Sequence, residues 1–145
     1  MALNLIKLCV GADSVEDLAQ WQAERLAEAR KAQRPLELWH RTRMFPKRRD
    51  EILDGGSLYW VIKGIVQVRQ SIVDLRAARG EDGIARCDIM LASSLAPVRP
   101  VPRRPFQGWR YLAAEDAPAD LKQGEANLMA LPAKMRAELL ALGLL

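Results

Sequence analysis

The sequence has few residues that could hold a metal ion or attack a substrate. Its 145 residues include two cysteines, Cys9 and Cys87, and a single histidine, His40. A structural zinc site needs four such ligands, and two separated cysteines make no disulfide framework. Both cysteines lie in apolar, strand-like runs, so we expect small buried hydrophobes; a cysteine nucleophile activated by His40 is the alternative. We expect no metal and no cofactor.

Long hydrophobic runs, internal repeats and low-complexity tracts are also missing. No apolar run is long enough to span a membrane, and residues 3–10 lack the basic start and cleavage site of a signal peptide. The composition, 50% hydrophobic and 28% charged, is typical of a soluble globular protein. A chain of this length suits one domain, residues 1–145. We therefore expect a single cytoplasmic domain without a membrane partner.

Acidic residues are scarce in two segments, although the net charge of the whole chain is only +4. Residues 34–49 contain six basic residues and one acid, Glu37, whereas residues 97–111 contain four arginines and no acid. Much of the negative charge lies in 13–28, 81–88 and 115–125. If the two basic segments meet in space, the molecule has one positive face.

Hydrophobic periodicity predicts five or six short strands. The predicted strands cover 3–8, 36–42, 57–64, 86–91 and 106–112, and we favour strands over a helix for 65–75. Tyr59 and Trp60 are neighbours on the central strand and should face opposite sides. Lys63, in the same strand, should reach an edge, a carboxylate or a ligand. Trp21 and Trp39 are expected in the core.

Helix signals and prolines complete the predicted architecture. Ser14, with Asp17 three residues on, predicts a helix that ends before Pro35. A short helix is predicted over 47–53 and a last helix from Pro132, capped by Gly143. Four prolines in 97–105 predict an extended edge like polyproline II, and 113–127 an acidic loop.

These elements indicate an α+β domain built on a small mixed β-barrel, because short strands alternate with Gly and Pro turns and no regular βαβ pattern occurs. The barrel core is predicted at 36–112. Residues 113–145 then form the acidic loop and the C-terminal helix.

Four stretches carry a resemblance to a known family: LNLIKL at 3–8, HRTRMFPKR at 40–48, GGSLYWVIKG at 55–64 and RRPFQGWRYL at 103–112. Over nearly the whole chain they resemble an uncharacterised, single-domain family of alphaproteobacterial proteins. That resemblance implies no activity.

The order of elements over 36–112 carries a second resemblance. A helix ending in a Gly-rich turn, a strand ending in WVIKG, a hairpin and a Pro-rich return to an aromatic strand are similar to PUA-like domains of the ASCH and EVE kind. Those domains are small pseudobarrels that mostly bind RNA or modified bases. The resemblance implies a fold and a ligand class, and no individual site residue.

The basic, aromatic-bearing segments are the candidate site, because arginine forks bind phosphates and unpaired bases stack on flat side chains. We expect non-catalytic binding of nucleic acid, RNA or a modified base in particular. The alternative is a solvated basic surface with Trp109 in the core. The candidate nucleic-acid-binding residues are Arg41, Arg43, Lys47, Arg48, Arg49, Lys63, Arg103, Arg104, Trp109 and Arg110.

Two further functions stay open at this point. A small ASCH-type amidohydrolase or nuclease acting on nucleosides or RNA would use a lysine-activated hydroxyl or a lysine–glutamate pair. Its candidate groups are His40, Thr42, Lys47, Glu51 and Lys63. The other open function is an adaptor role or the formation of a homodimer. It would use the last helix, 132–142, and the apolar residues Leu144 and Leu145.

Overall fold

A computed structural model of the protein describes residues 2–121. These residues form an α+β structure that is mostly β, as predicted, and the C-terminal helix predicted from Pro132 lies outside them. In chain order the elements are β1 (Asn4–Leu8), α1 (Val15–Lys31), β2 (Leu38–Thr42), α2 (Arg49–Leu53), β3 (Ser57–Ile62), β4 (Ile65–Arg79), β5 (Ala85–Pro102) and β6 (Trp109–Leu112).

Helix α1 begins where the sequence predicted. The Ser14 hydroxyl accepts a hydrogen bond from the backbone N–H of Asp17 at 3.2 Å, which satisfies one of the free donors of the first turn. The Asp17 carboxylate in turn accepts from the N–H of Asp13 at 3.0 Å. Leu18 and Ala29 are its buried residues, and Leu18 packs in the core formed with the sheet. The cap therefore fixes how the chain leaves β1 and crosses the sheet.

Strand β3 is the central element, and all six of its residues are buried. It pairs with β1 in parallel and with β4 in antiparallel orientation. Trp60 belongs to the core beneath α1 and α2, whereas Tyr59 belongs to a second core on the other face of the sheet. The prediction that these two rings face opposite sides is confirmed.

Residues 65–102 form one long β-hairpin, so the strand interpretation of 65–75 is confirmed. The prediction of a polyproline-like segment is wrong for residues 97–102, because they pair with β4. The other side of β5 pairs with β2 only through residues 87–91. The prolines at 97, 100 and 102 lie beyond that pairing. In residues 2–121 this edge of β5 makes one isolated bridge there, Val98 with Asp120, in which Pro97 takes part through its carbonyl, so a missing N–H is tolerated.

Lys63 lies in a turn and not within the central strand, which corrects the prediction. Ile62 pairs with Ile65, and the two residues between them have positive φ angles, 53° at Lys63 and 75° at Gly64. This geometry is that of a two-residue type I′ hairpin turn, which glycine at its second position favours. The apolar run continues through the turn, so hydrophobicity alone did not mark its position.

The sheet order is β2-β5-β4-β3-β1-β6, with β2 and β6 at its two ends. No ladder joins those ends within residues 2–121, so closure into a barrel is not confirmed. The two ends of the sheet nevertheless approach each other. The indole N–H of Trp109 on β6 donates to the carbonyl of Met44, two residues after β2, at 2.8 Å, which shows that the sheet is curved. Within the same residues, no helix is long and apolar enough to cross a membrane.

Trp21 and Trp39 are not core residues, contrary to prediction. Their exposed fractions are 45% and 37%. Trp39 is out of phase with Leu38 and Thr42, the buried residues of β2, and therefore points away from the core. Trp21 lies on the exposed part of α1. Both rings border the same pocket, which is described below.

Candidate nucleic-acid interface

The two basic segments of the sequence meet in the structure. Residues 42–44 and residues 107–110 face each other across a groove of about 320 Å³. The hydrogen bond from Trp109 to the carbonyl of Met44 joins its two sides. We call this feature the basic groove. It is lined by Thr42, Arg43, Met44, Gln107, Gly108, Trp109 and Arg110.

A second aromatic side chain of β6 holds the loop between β2 and α2. The Tyr111 hydroxyl accepts hydrogen bonds from the backbone N–H groups of Lys47 at 3.1 Å and Arg48 at 3.3 Å. Its ring packs edge-on against Trp109, with centroids 4.8 Å apart. Because these contacts use the backbone of the loop, the side chains of Arg43 and Lys47 remain exposed.

Five of the candidate cations have no carboxylate partner among residues 2–121: Arg43, Lys47, Arg103, Arg104 and Arg110. The guanidinium groups of Arg103 and Arg110 both lie over the Phe106 ring, 5.7 and 5.5 Å from its centroid. Arg103 is thereby placed close to Arg110, which lines the basic groove. Arg110 also donates to the carbonyl of Gln107 at 2.9 Å, which orients its guanidinium.

Three other candidates are neutralised by carboxylates of the chain. Arg41 binds Asp88 through two hydrogen bonds of 2.7 and 3.0 Å. Arg48 is paired in the same way with Glu51, and this bond lowers the pKa of that carboxyl. Arg49 binds Asp74 at 2.8 Å. We expect these arginines to contribute less to a phosphate site than the five above, because a phosphate would compete with an existing partner.

Lys63 and Trp109 have surroundings of their own. The Lys63 ammonium lies 3.0 Å from the carboxylate of Asp13. Of the three expected surroundings, an edge, a carboxylate or a ligand, Lys63 therefore has a carboxylate. The backbone N–H of Arg103 donates to the carbonyl of Gly64, which places the Lys63 turn beside the second basic segment. Trp109 is partly buried against the core beneath α1, and its remaining surface forms one wall of the basic groove.

The groups proposed for a hydrolase do not form a catalytic arrangement. Glu51 is bound by Arg48, and Lys63 by Asp13. In the described part of the chain no hydrogen bond joins any two of His40, Thr42, Lys47, Glu51 and Lys63. A nucleophile and its base must be within hydrogen-bonding reach of each other, so this geometry gives no support to an amidohydrolase.

The two buried cysteines and the partly buried histidine are held in forms that disfavour nucleophilic chemistry. Both cysteines are free and buried, as predicted, and burial raises the pKa of each thiol to about 11. Burial, together with the charges of Lys7 and Arg25, lowers the pKa of His40 to about 4. Neither thiol is therefore ionised at neutral pH. Across residues 2–121 no group of three or more His, Cys, Asp or Glu side chains could hold a metal ion.

Lys7 is a cation of this region that sequence reasoning missed. Its register partners are Trp60 on β3 and Trp109 on β6, so it lies between the core and the basic groove. Lys7 is half-buried, burial lowers its pKa, and its ammonium has no partner in the part of the chain that the structure describes. The sequence did contain the signal. Lys7 is a lysine in an apolar strand, and the reasoning that singled out Lys63 applies to it equally.

Comparison with known proteins gives a family and no activity. Searches of the curated proteins and of the solved structures found no significant match. The family model of DUF1489, described as a protein of unknown function, matches residues 5–145. The expectation of an uncharacterised family is thereby confirmed: the chain belongs to the DUF1489 family of proteins of unknown function.

Proposed function

We propose that the protein binds nucleic acid without catalysis, single-stranded RNA in particular, through the basic groove. The observation that carries the proposal is the meeting of two basic segments, held by the bond between Trp109 and the carbonyl of Met44. The two segments carry five cations that lack a carboxylate partner within residues 2–121, and two of them, Arg43 and Arg110, line the groove. Exposed cations of this kind neutralise phosphates and release their counterions.

The types of side chain favour a flexible single strand. Arginine presents a planar fork that donates two parallel hydrogen bonds to a phosphate. Aromatic rings lie among the cations, with Phe106 beneath two guanidinium groups and Trp109 in the groove wall. Single-stranded nucleic acid is bound by this combination of a positive groove and rings on which bases stack. The order of elements over 36–112 supports a PUA-like architecture as part of the same proposal.

Within residues 2–121 the candidate groups form no joined acid–base pair, which supports binding over catalysis. Two of the groups that a hydrolase would need, the carboxylate of Glu51 and the amine of Lys63, are engaged by Arg48 and Asp13. A phosphate or base in the groove would therefore meet donors that hold it, and neither Glu51 nor Lys63 is free to act as a general base.

The test measures the affinity of a fluorescent single-stranded RNA by anisotropy at several salt concentrations. We expect the double variant Arg43→Gln/Arg110→Gln to bind RNA about tenfold more weakly at low salt. The slope of log affinity against log salt should become shallower by about 0.7 for each cation removed. Thermal stability should not change, since both side chains are exposed and have no carboxylate partner among residues 2–121.

The matched control is Lys31→Gln/Arg34→Gln, which removes the same charge from exposed positions that do not line the groove. We expect this variant to lose much less affinity than the groove variant. Single-stranded DNA of the same sequence provides the comparison that tests the preference for RNA. Equal losses of RNA affinity in the two double variants would show that the effect depends on net charge and not on the groove. A wild-type protein that binds no RNA would overturn the proposal.

A further inference from the structure

A second concave site lies between α1, β2 and β3, outside the basic groove. Its volume is about 150 Å³, close to that of an apolar cavity that admits a single benzene ring. Three of the four tryptophans of the chain line it. We call it the aromatic pocket, and the residues used in the argument below are Trp21, Trp39, Trp60, His40, Gln22 and Arg25.

The walls of the aromatic pocket are held in place by hydrogen bonds. Gln22 and Gln70 exchange two amide hydrogen bonds of 2.9 Å, and the Gln70 oxygen also accepts from the indole N–H of Trp60 at 3.2 Å. Arg25 donates to the carbonyl of Trp39 at 2.8 Å, with its guanidinium 5.0 Å from the centre of that ring. A ligand would thus enter a site that is already formed, which lowers the entropic cost of binding.

His40 supplies polar atoms that are open to a ligand. Its ring stands edge-on to Trp60, 5.2 Å between centroids and 88° between planes. Neither ring nitrogen has a hydrogen-bond partner among the residues that the structure describes. With a pKa lowered to about 4, the imidazole is neutral at pH 7 and offers one donor and one acceptor. Trp21, 45% exposed, stands at the mouth of the pocket.

The charges around the pocket decide which flat ligand fits. Tryptophan-lined pockets attract quaternary ammonium groups through their π faces. Here, however, the guanidinium group of Arg25, which has no carboxylate partner among residues 2–121, already lies 5.0 Å from the centre of the Trp39 ring, and that of Arg41, paired with Asp88, lies 5.3 Å from it. Further positive charge from Lys7 acts on His40. A cationic ligand is therefore disfavoured, and a neutral ring with donors and acceptors along its edge, as in a nucleobase, is favoured.

The aromatic pocket and the basic groove are neighbours. Strand β2 carries His40 in the pocket and is followed by Arg43 in the groove, about 10 Å further along an extended chain. On the other side Lys7 pairs with Trp60 of the pocket and with Trp109 of the groove. A strand bound in the groove can thus reach the pocket with one of its bases.

We propose that the aromatic pocket takes one unstacked nucleobase of the strand whose phosphates lie in the basic groove. This inference rests on the proposed function. The base stacks on Trp21 at the mouth of the pocket, and its edge exchanges hydrogen bonds with the ring nitrogens of His40. Stacking on an aromatic side chain tolerates different bases, because every base has a π face.

The experiment compares Trp21→Leu, which keeps an apolar side chain, with Trp21→Phe, which keeps a flat ring. The probes are a short single-stranded RNA and inorganic polyphosphate, which carries phosphates without bases. We expect Trp21→Leu to bind RNA about 5- to 150-fold more weakly and polyphosphate as well as the wild type does. Trp21→Phe should retain most of the RNA affinity. Because Trp21 is exposed, neither variant should lose thermal stability.

The outcomes separate this inference from the proposed function. RNA affinity that is unchanged in Trp21→Leu would overturn the inference about the aromatic pocket, while the proposed function of the basic groove would be unaffected. Equal losses for RNA and polyphosphate would also overturn it, because the effect would not depend on a base. If the wild type binds no RNA but free nucleosides quench its tryptophan fluorescence, and Trp21→Leu abolishes the quenching, the pocket stands without the groove. Binding of neither probe would overturn both.

Discussion

At the scale of single residues, His40 is the side chain through which the fold should respond to pH. It is the only histidine of the chain, and its folded pKa of about 4 lies below the value of about 6.5 in an unfolded chain. Between these values the unfolded state binds the proton and the folded state does not, so stability falls as the pH drops from about 6.5 to about 4. We expect a loss of about 2 kcal/mol from this residue, allowing for its partial exposure.

The measurement is urea unfolding at pH 7 and pH 4.5, together with an NMR titration of the single imidazole. The control is His40→Gln, which should lose less stability over this range, since carboxylates then account for what remains. An imidazole that titrates near pH 6.5 in the folded protein would contradict the partly buried, neutral state of His40.

Residue-scale prediction from the sequence succeeded where a neighbour along the chain decides the environment. Ser14 and Asp17 mark the start of α1, and the alternation of Tyr59 and Trp60 follows from strand geometry alone. It failed for Trp21 and Trp39, because indoles are usually buried. The alternation of β2 already puts Trp39 out of phase with Leu38, whereas only the tertiary packing of α1 leaves Trp21 at the rim of a pocket. Hydrophobicity does not separate a ring in a core from a ring that lines a ligand site.

At the scale of elements, the junction between α2 and β3 depends on Gly56. A Cβ atom at this position would lie 2.3 Å from the backbone oxygen of Leu3 and 2.4 Å from that of Ile52. Both are backbone atoms of packed segments, so neither can move without displacing β1 or α2. We expect Gly56→Ala to lower the free energy of unfolding by about 3 kcal/mol or more, measured by urea denaturation.

Gly83→Ala is the matched control, because Gly83 lies in the turn between β4 and β5 with φ of 76° and no atom within 4 Å of an added Cβ. Only the cost of a left-handed backbone remains there, about 1 kcal/mol. If Gly56→Ala were no more destabilising than Gly83→Ala, the result would contradict the close approach of β1 and α2 at Gly56.

The order of strands along the chain could be predicted from the sequence, while their lengths and pairing could not. Periodicity located all the strands through β6, but it did not show that 97–102 continues β5 as a paired strand. Proline excludes a helix and tolerates the unpaired side of a strand, so the same residues fit both interpretations. The turn at Lys63 was missed because the apolar run does not pause there.

At the scale of the whole molecule, the curvature of the sheet creates the candidate site. The segments that form the basic groove follow β2 and include the start of β6, the two ends of the sheet order. The sequence shows two basic segments but not whether they meet, since that depends on the five strand pairings that link β2 to β6. Their contact in the structure, with Trp109 bound to the carbonyl of Met44, supplies the condition on which the functional hypothesis depends.

The central claim is that residues on both sides of the basic groove bind one strand together. The most direct measurement is an NMR titration of ¹⁵N-labelled protein with a short single-stranded RNA, following the amide signals of 107–111 and of the residues other than Pro46 in 42–48. We predict that both sets of signals shift together and saturate at the same RNA concentration. Shifts confined to one segment, or found only at residues outside the groove such as those of α1 beyond Arg25, would contradict the account.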